Sequence, residues 1–199
     1  LCRTHRLDVA VDLMGCIQRA RLGIFSYRAA PIQISYLGYP GTTGASFIDY
    51  IIADEVVIPR EQGIHYCEQI IYLPHSYQAK DDTREISDKT LTRTDVGLPE
   101  AGFVFCCFNA SCKISQKEFD IWMRLLQQVE DSVLWLFSSN EWAQANLLTE
   151  AQKRGVAPER IIFSDRVSHA DHLARYQLAD VFLDTFNYTA DTQASDALW

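Results

Sequence analysis

No run of roughly 18 apolar residues occurs in the 199-residue sequence, so no segment is able to cross a bilayer as a helix. No C-x-x-C is present either. The six cysteines (Cys2, Cys16, Cys67, Cys106, Cys107 and Cys112) show neither zinc-ligand spacing nor a disulfide frame, and read as buried free thiols of a reducing compartment. The opening residues carry Arg3, Arg6 and Asp8 and no apolar h-region of a signal peptide, so the expected location is cytoplasmic. Positive charge is scarce: 18 Lys and Arg stand against 26 Asp and Glu, a net charge of −8. The basic residues do not cluster, which argues against wholesale binding of a nucleic-acid backbone. Internal repeats and low-complexity tracts are absent, and 9 Gly with 6 Pro exclude a collagen-like or polymeric chain. The sequence has no initial Met and stops at Trp199 within a pattern that reads as an unfinished helix. A piece of a longer protein is expected.

What is present is a 48% hydrophobic chain in which short apolar runs alternate with amphipathic stretches. Candidate strands are Leu7–Leu13, Ile32–Leu37, Tyr50–Ala53, Gln69–Leu73, Phe103–Phe108, Val133–Phe137, Arg160–Phe163 and Asp180–Leu183. Most are continuously apolar, as parallel strands covered on both faces should be. Helices are expected over Ser115–Val129, where Ser115 precedes Glu118 by three as in a capping box, over Glu141–Gly155, and over Ser168–Ala179. Alternation of strand and helix makes the class α/β. The polar stretch Gln78–Thr94, with eight charged side chains from Lys80 to Arg93, reads as a linker between two α/β units.

Open α/β sheets bind ligands beyond the carboxyl ends of their strands, near helix N-termini. Four strand exits carry candidate residues. Leu37–Gly44 (LGYPGTTG) has three glycines and two threonines, a loop able to cradle phosphate or sugar with its backbone N–H groups, or a plain turn. Asn109–Lys113 places a lysine between strand and helix, where it can meet a nucleotide phosphate or simply sit in solvent. His172 and Arg175, one turn apart, could stack on a base and reach a phosphate. Thr192 and Asp196 flank a helix start, where a hydroxyl suits phosphate oxygens and a carboxylate suits a ribose; an ordinary N-cap would look the same. The last three exits belong to one α/β unit, and their convergence favours a nucleotide site there.

These segments also resemble a known family. Ala30-Pro31-Ile32-Gln33 leading into Leu37-Gly38-Tyr39-Pro40-Gly41-Thr42 is similar to the APxQ…LGYPGT signature of the O-linked N-acetylglucosamine transferases (glycosyltransferase family 41, with SPINDLY-like relatives). Phe108-Asn109 with Lys113, Ser132–Leu136, Ile161–Phe163, Gln177–Asp180, Leu183–Thr185 and Asp196–Trp199 match further family motifs in order. The resemblance implies a GT-B architecture of two Rossmann-like lobes facing across a cleft, both incomplete here: residues 1–80 from the N-terminal lobe, 81–97 between lobes, and 98–199 from the nucleotide-binding lobe. It implies inverting transfer of N-acetylglucosamine from UDP-GlcNAc to Ser or Thr hydroxyls of proteins, with no cofactor and no metal. Tetratricopeptide repeats are expected upstream, and neither nucleic acid nor membrane as a partner.

By the same resemblance Lys113 would neutralise the leaving diphosphate. Asn109, His172, Arg175, Thr192 and Asp196 would line the donor nucleotide, with His172 against the base and Asp196 on the ribose. Gly38, Pro40, Gly41 and Thr42 would border the sugar and diphosphate. The chain departs from the family at Asp191, where relatives carry His, and at Ala110, Cys112, His169 and Gln193. Two alternatives therefore accompany the leading reading: a GDP-fucose-type donor on the same fold, and a non-catalytic nucleotide-sugar-binding homologue. An epimerase on this fold would need cleft carboxylates and histidines that the sequence does not place. No general base is identifiable, and the segment alone is expected to be inactive.

Overall fold

The computed structural model describes residues 4–199, so Cys2 and Arg3 lie outside the described residues. The chain forms two compact units that divide between Asp82 and Thr83. In the first, strands β1 (Val9–Asp12), β2 (Ile32–Ser35), β3 (Tyr50–Ala53) and β4 (Gln69–Tyr72) make one parallel sheet in the order β1-β2-β3-β4. Their connections carry 3-10 turns, at Leu22–Tyr27 and Arg60–His65, in place of α-helices. The core is correspondingly small, with Ile51, Ala53 and Ile58 at its centre. Here the expectation of strands covered on both faces fails: Val9, Val11 and Ile32 are each more than 40% exposed, because no crossover helix lies over that face among the described residues.

Two buried polar side chains organise this unit. Gln33, fully buried, donates to the carbonyls of Phe25 (2.9 Å) and Phe47 (2.6 Å) and accepts from the Ala29 N–H (2.8 Å). The glutamine of the Ala30–Gln33 motif thus ties three loop segments together by satisfying backbone groups that burial would otherwise strand. The Asp54 carboxylate accepts from Val56, Val57 and Tyr77 N–H groups. A side chain at Gly38 is sterically excluded, since a Cβ would fall 2.4 Å from the Met14 carbonyl oxygen.

In the second unit, β5 (Val104–Cys107), β6 (Val133–Phe137), β7 (Ile161–Ser164) and β8 (Val181–Phe182) form a parallel sheet in the order β7-β6-β5-β8. Period-two alternation sends Phe105, Cys107, Leu134 and Leu136 into one core and Val104, Cys106, Val133 and Trp135 into the other. Both faces are covered, which is why these strands read as uninterrupted apolar runs. Helix α1 (Gln116–Gln128) buries Phe119, Trp122, Met123 and Leu126, and α2 (Glu141–Lys153) is capped by Asn140, whose side chain accepts from the Ala143 N–H at 2.8 Å.

Helix α3 (His169–Arg175) is shorter than its amphipathic pattern suggests: the chain tightens into a 3-10 turn at Tyr176–Leu178. Helix α4 spans Thr192–Ala197. Part of the polar stretch read as a linker is fastened along this unit. Ser87 N–H donates to the Ala170 carbonyl (3.1 Å), Lys89 pairs with Asp171 (3.0 Å), and Arg93 pairs with Asp180 (2.9 Å). The thiols divide as well. Cys106 and Cys107 are buried, but Cys16, Cys67 and Cys112 are exposed, because they sit in loops and turns rather than in strands.

Candidate functional site

The order β7-β6-β5-β8 determines where the second unit can bind a ligand. The chain runs outward from β5 to β6 to β7, then returns to the other side of β5 as β8. The strand order therefore reverses between β5 and β8, and the crevice beyond their carboxyl ends is the ligand position of an open α/β sheet. The exits of these two strands carry Asn109, Lys113, Thr192 and Asp196. The exit of β7 carries α3 with His172 and Arg175.

Asn109 is 1% exposed and bridges the two exits, its amide donating to Asp184 Oδ1 (3.1 Å) and Thr185 Oγ1 (3.0 Å). Its Oδ1 is buried without a partner. Asp184 Oδ1 also accepts from the Thr185 and Ala190 N–H groups, each at 2.7 Å, and Thr185 Oγ1 donates to the Tyr188 carbonyl at 2.7 Å. The loop after β8 is thus folded around one carboxylate oxygen. A second anchor is Glu118, fully buried in the first turn of α1. Instead of reaching back to the Ser115 N–H as a capping box would, it accepts from the Ser115 hydroxyl and from the Phe186 N–H (2.7 Å). The Ser115 hydroxyl bond, with the Phe186 and Asn187 N–H groups, overcomes burial and holds this carboxyl at about 2.

Against this loop stands Lys113, on the 3-10 turn Ser111–Lys113. Its Nζ donates to the Thr189 carbonyl (3.3 Å) and lies 4.4 Å from the centre of the Tyr188 ring. No carboxylate pairs with it among the described residues. A cation compensated only by a carbonyl dipole and a ring face is available to an incoming anion. Asp191 bears on the same region: its carboxylate caps α4 by accepting from the Thr192 N–H, while the Thr192 side chain is exposed.

Beside these residues lies a cavity of about 380 Å³ lined by Phe108, Phe137, Ala110, His169, His172, Gln193 and Asp196, with Arg166, Val167 and Arg175. His172 packs against Phe108 and Tyr176, with ring centroids 5.5 and 5.0 Å away. Arg175 Nη2 lies 2.6 Å from His172 Nδ1. A guanidinium only donates, so Nδ1 accepts and the ring proton sits on Nε2, an assignment made from the partner. Burial, followed by the Arg175 charge, pushes the imidazole down to about 4 against the pull of Asp196. His172 is therefore neutral at physiological pH, a flat surface suited to a base.

Arg175 lines the cavity, but its guanidinium is engaged within the protein. It is 3% exposed, donates to Ser164 Oγ (2.8 Å) and the Asp165 carbonyl (2.9 Å), and lies 4.2 Å from the centre of the Phe108 ring. Its guanidinium sits under His172 and fixes that ring, with Nε buried and unpartnered. Asp196 is buried too, paired with Arg84 and 3.9 Å from His172 Nε2.

The glycine-rich loop belongs to the first unit. Tyr66 donates its hydroxyl to the Pro40 carbonyl (2.9 Å), and the buried Glu68 carboxylate accepts from Thr42 Oγ1 (2.6 Å), the Thr43 N–H (2.7 Å) and Thr43 Oγ1. Burial pushes Glu68 up, but the Thr42 and Thr43 bonds outweigh it and hold the carboxyl below its usual range. The Thr42 hydroxyl is engaged by Glu68, and the exposed Tyr39 side chain lies against Gly41. Nothing in the local sequence marks Glu68, Glu118 or Arg84 as parts of these sites. Each acts across a turn or a long sequence separation. Among the described residues no group of three or more His, Cys, Asp and Glu side chains is arranged to hold a metal ion.

The family model for glycosyl transferase family 41 matches residues 3–91 and 79–199. A probable UDP-N-acetylglucosamine–peptide N-acetylglucosaminyltransferase SEC of Arabidopsis thaliana is 38% identical over 199 residues, covering 98% of this chain and 20% of the relative. A probable SPINDLY enzyme of the same description from Oryza sativa subsp. japonica is 31% identical over 205 residues, covering 100% of this chain and 22% of that protein. A mutant of the Thermobaculum terrenum O-GlcNAc transferase superposes with a TM-score of 0.83 at 28% identity, over 100% of this chain and 38% of that one. The fold is α/β of GT-B type, and this chain covers parts of its lobes. It spans about a fifth of the length of the curated relatives.

Proposed function

The chain belongs to glycosyl transferase family 41, and we propose that it is the part of a protein glycosyltransferase that binds UDP-GlcNAc and supports transfer of N-acetylglucosamine to Ser or Thr hydroxyls. The observation carrying this reading is Lys113, a cation with no carboxylate partner among the described residues, placed where the strand order reverses and facing the loop after β8. When an acceptor oxygen attacks the anomeric carbon, the sugar–phosphate bond breaks and its electron pair leaves with UDP. A fixed ammonium at the diphosphate stabilises the charge that develops there, and such electrostatic stabilisation is typically the largest catalytic term. In this reading neutral His172 carries the base, Asp196 the ribose, and Asn109 with Asp184 holds the loop that faces the phosphates. Thr192, exposed at the start of α4, supplies a hydroxyl to the diphosphate.

No metal is required, because Lys113 and backbone dipoles take its electrostatic part. Upstream tetratricopeptide repeats and a cytoplasmic location belong to the same proposal. A second reading, a GDP-linked donor, has one observation in its favour: Ala110 and His169, two of the departures from the family, both line the cavity.

Calorimetric titration of the full-length protein with UDP and then GDP tests both. Saturable UDP binding, weakened about tenfold or more in Lys113→Ala together with a loss of peptide glycosylation, is the expected result. Unchanged binding and transfer in Lys113→Ala would refute the role of Lys113, and tighter GDP binding would replace the donor.

A further inference from the structure

Asp196 is 5% exposed, and a carboxylate that is buried must be matched by a positive partner or lose its charge. That partner comes from outside the sheet and its helices. Arg84, at the start of the polar stretch, pairs through Nη1 with Asp196 Oδ1; the two side chains are 9% and 4% exposed. The Arg84 guanidinium also lies 4.4 Å from the centre of the Trp199 ring, so it is held from two sides. Oδ1 is occupied, and Oδ2 points to the His172 side of the cavity, 3.9 Å from Nε2 and beyond hydrogen-bond reach. His169 Nε2 is 4.0 Å from Oδ1.

We infer that Arg84 is a positioning residue of the nucleoside site: by pairing with Oδ1 it holds the Asp196 carboxylate turned so that Oδ2 accepts from the ribose hydroxyls of a nucleoside diphosphate. This inference rests on the nucleotide reading above. It makes the segment from Arg84 to Arg93 a strap of the binding site in addition to a connection between units. Without the guanidinium, nothing holds Oδ1, the Asp196 side chain is free to turn, and the acceptor facing the ribose is lost.

The test uses the full-length protein and measures affinity for UDP and for 2′,3′-dideoxy-UDP in wild type, Arg84→Met and Arg84→Gln. Arg93→Met serves as a control that loosens the same strap at its Asp180 pair. In wild type, loss of the ribose hydroxyls is expected to weaken binding about tenfold or more, the range for a hydrogen bond to a charged group. In Arg84→Met that ratio falls to about threefold or less, while Arg93→Met keeps it. A purely structural ion pair would lower both affinities together and leave the ratio intact; that result overturns the inference, as does an equal collapse of the ratio in Arg93→Met. Should Arg84→Met fail to fold, Arg84→Gln decides, and a ratio equal to wild type overturns it. Wild type that binds UDP without preferring the ribose hydroxyls refutes this inference alone, whereas no UDP binding at all refutes the nucleotide reading beneath it.

Discussion

Replacing Glu118 tests how the loop that faces Lys113 is held. The carboxylate is fully buried and accepts from the Phe186 N–H at 2.7 Å, from the Asn187 N–H and from the Ser115 hydroxyl. Glu118→Ala leaves two backbone donors of the loop after β8 and a hydroxyl without their acceptor. Each unsatisfied group costs about 1–3 kcal/mol; with partial entry of water at this loop, the sum is about 3–5 kcal/mol. For a chain of this size roughly 1 kcal/mol lowers the melting temperature by about 2–4 °C, so the expected drop is roughly 6–20 °C. Glu118→Gln keeps one acceptor oxygen and should lose about 1–3 kcal/mol.

Thermal unfolding gives the size of the effect, and hydrogen exchange at the Phe186 amide gives its place. The pH dependence has a definite sign. Held at about 2 against an ordinary 4.5, Glu118 contributes stability above the ordinary value and loses it as the pH falls through that window. Glu118→Gln should therefore flatten the acid limb. A melting temperature within about 2 °C of wild type, with unchanged Phe186 protection, would refute the reasoning.

Two further predictions follow from the same unit. His172 sits at about 4 in the folded chain against 6.5 unperturbed, so between those values the unfolded chain binds more protons, and stability falls as the pH drops from 6.5 toward 4. His172→Gln should remove that slope in denaturation curves taken across the window, and a slope that persists would contradict the burial argument. Asp191→Asn keeps an N-cap of equal quality but removes an anion from the loop opposite Lys113, so UDP should bind about two- to tenfold more tightly while uridine is unaffected. Equal UDP affinity would show that the carboxylate does not bear on the phosphates.

Much of the fold was legible in order and type. Tyr50–Ala53 and Val133–Phe137 are strands over the same residues that the apolar runs mark, and Ser115 caps α1 as its position suggests. Strand ends were less legible: Leu7–Leu13 is a strand only over Val9–Asp12, because pairing with β2 decides where the ladder stops. That His172 and Asp196 share one cavity, with Lys113 at a neighbouring strand exit, could be inferred from strand exits and motifs, but their chemistry could not. Arg175, three residues after His172 on α3, reads as a second ligand group. It lines the cavity, and packed beneath Phe108 and His172 it also orients the imidazole, a contact that the spacing alone does not show. Nor does the loop sequence show that the Thr42 hydroxyl donates to Glu68, 26 residues away.

The sequence by itself determined the α/β class, the parallel character of the second sheet and the set of candidate residues at its strand exits. Apolar periodicity, glycine at Gly38 and a lysine between strand and helix are local features, and local physics reads them. Tertiary structure decided which of those side chains are free to act. Arg84 meets Asp196 across 112 residues, Glu118 meets Phe186 across 68, and Asn109 meets Thr185 across 76. The match between a buried charge and a distant partner has no period and no neighbouring signal. It exists only once the strand order β7-β6-β5-β8 has brought the exits of β5 and β8 side by side.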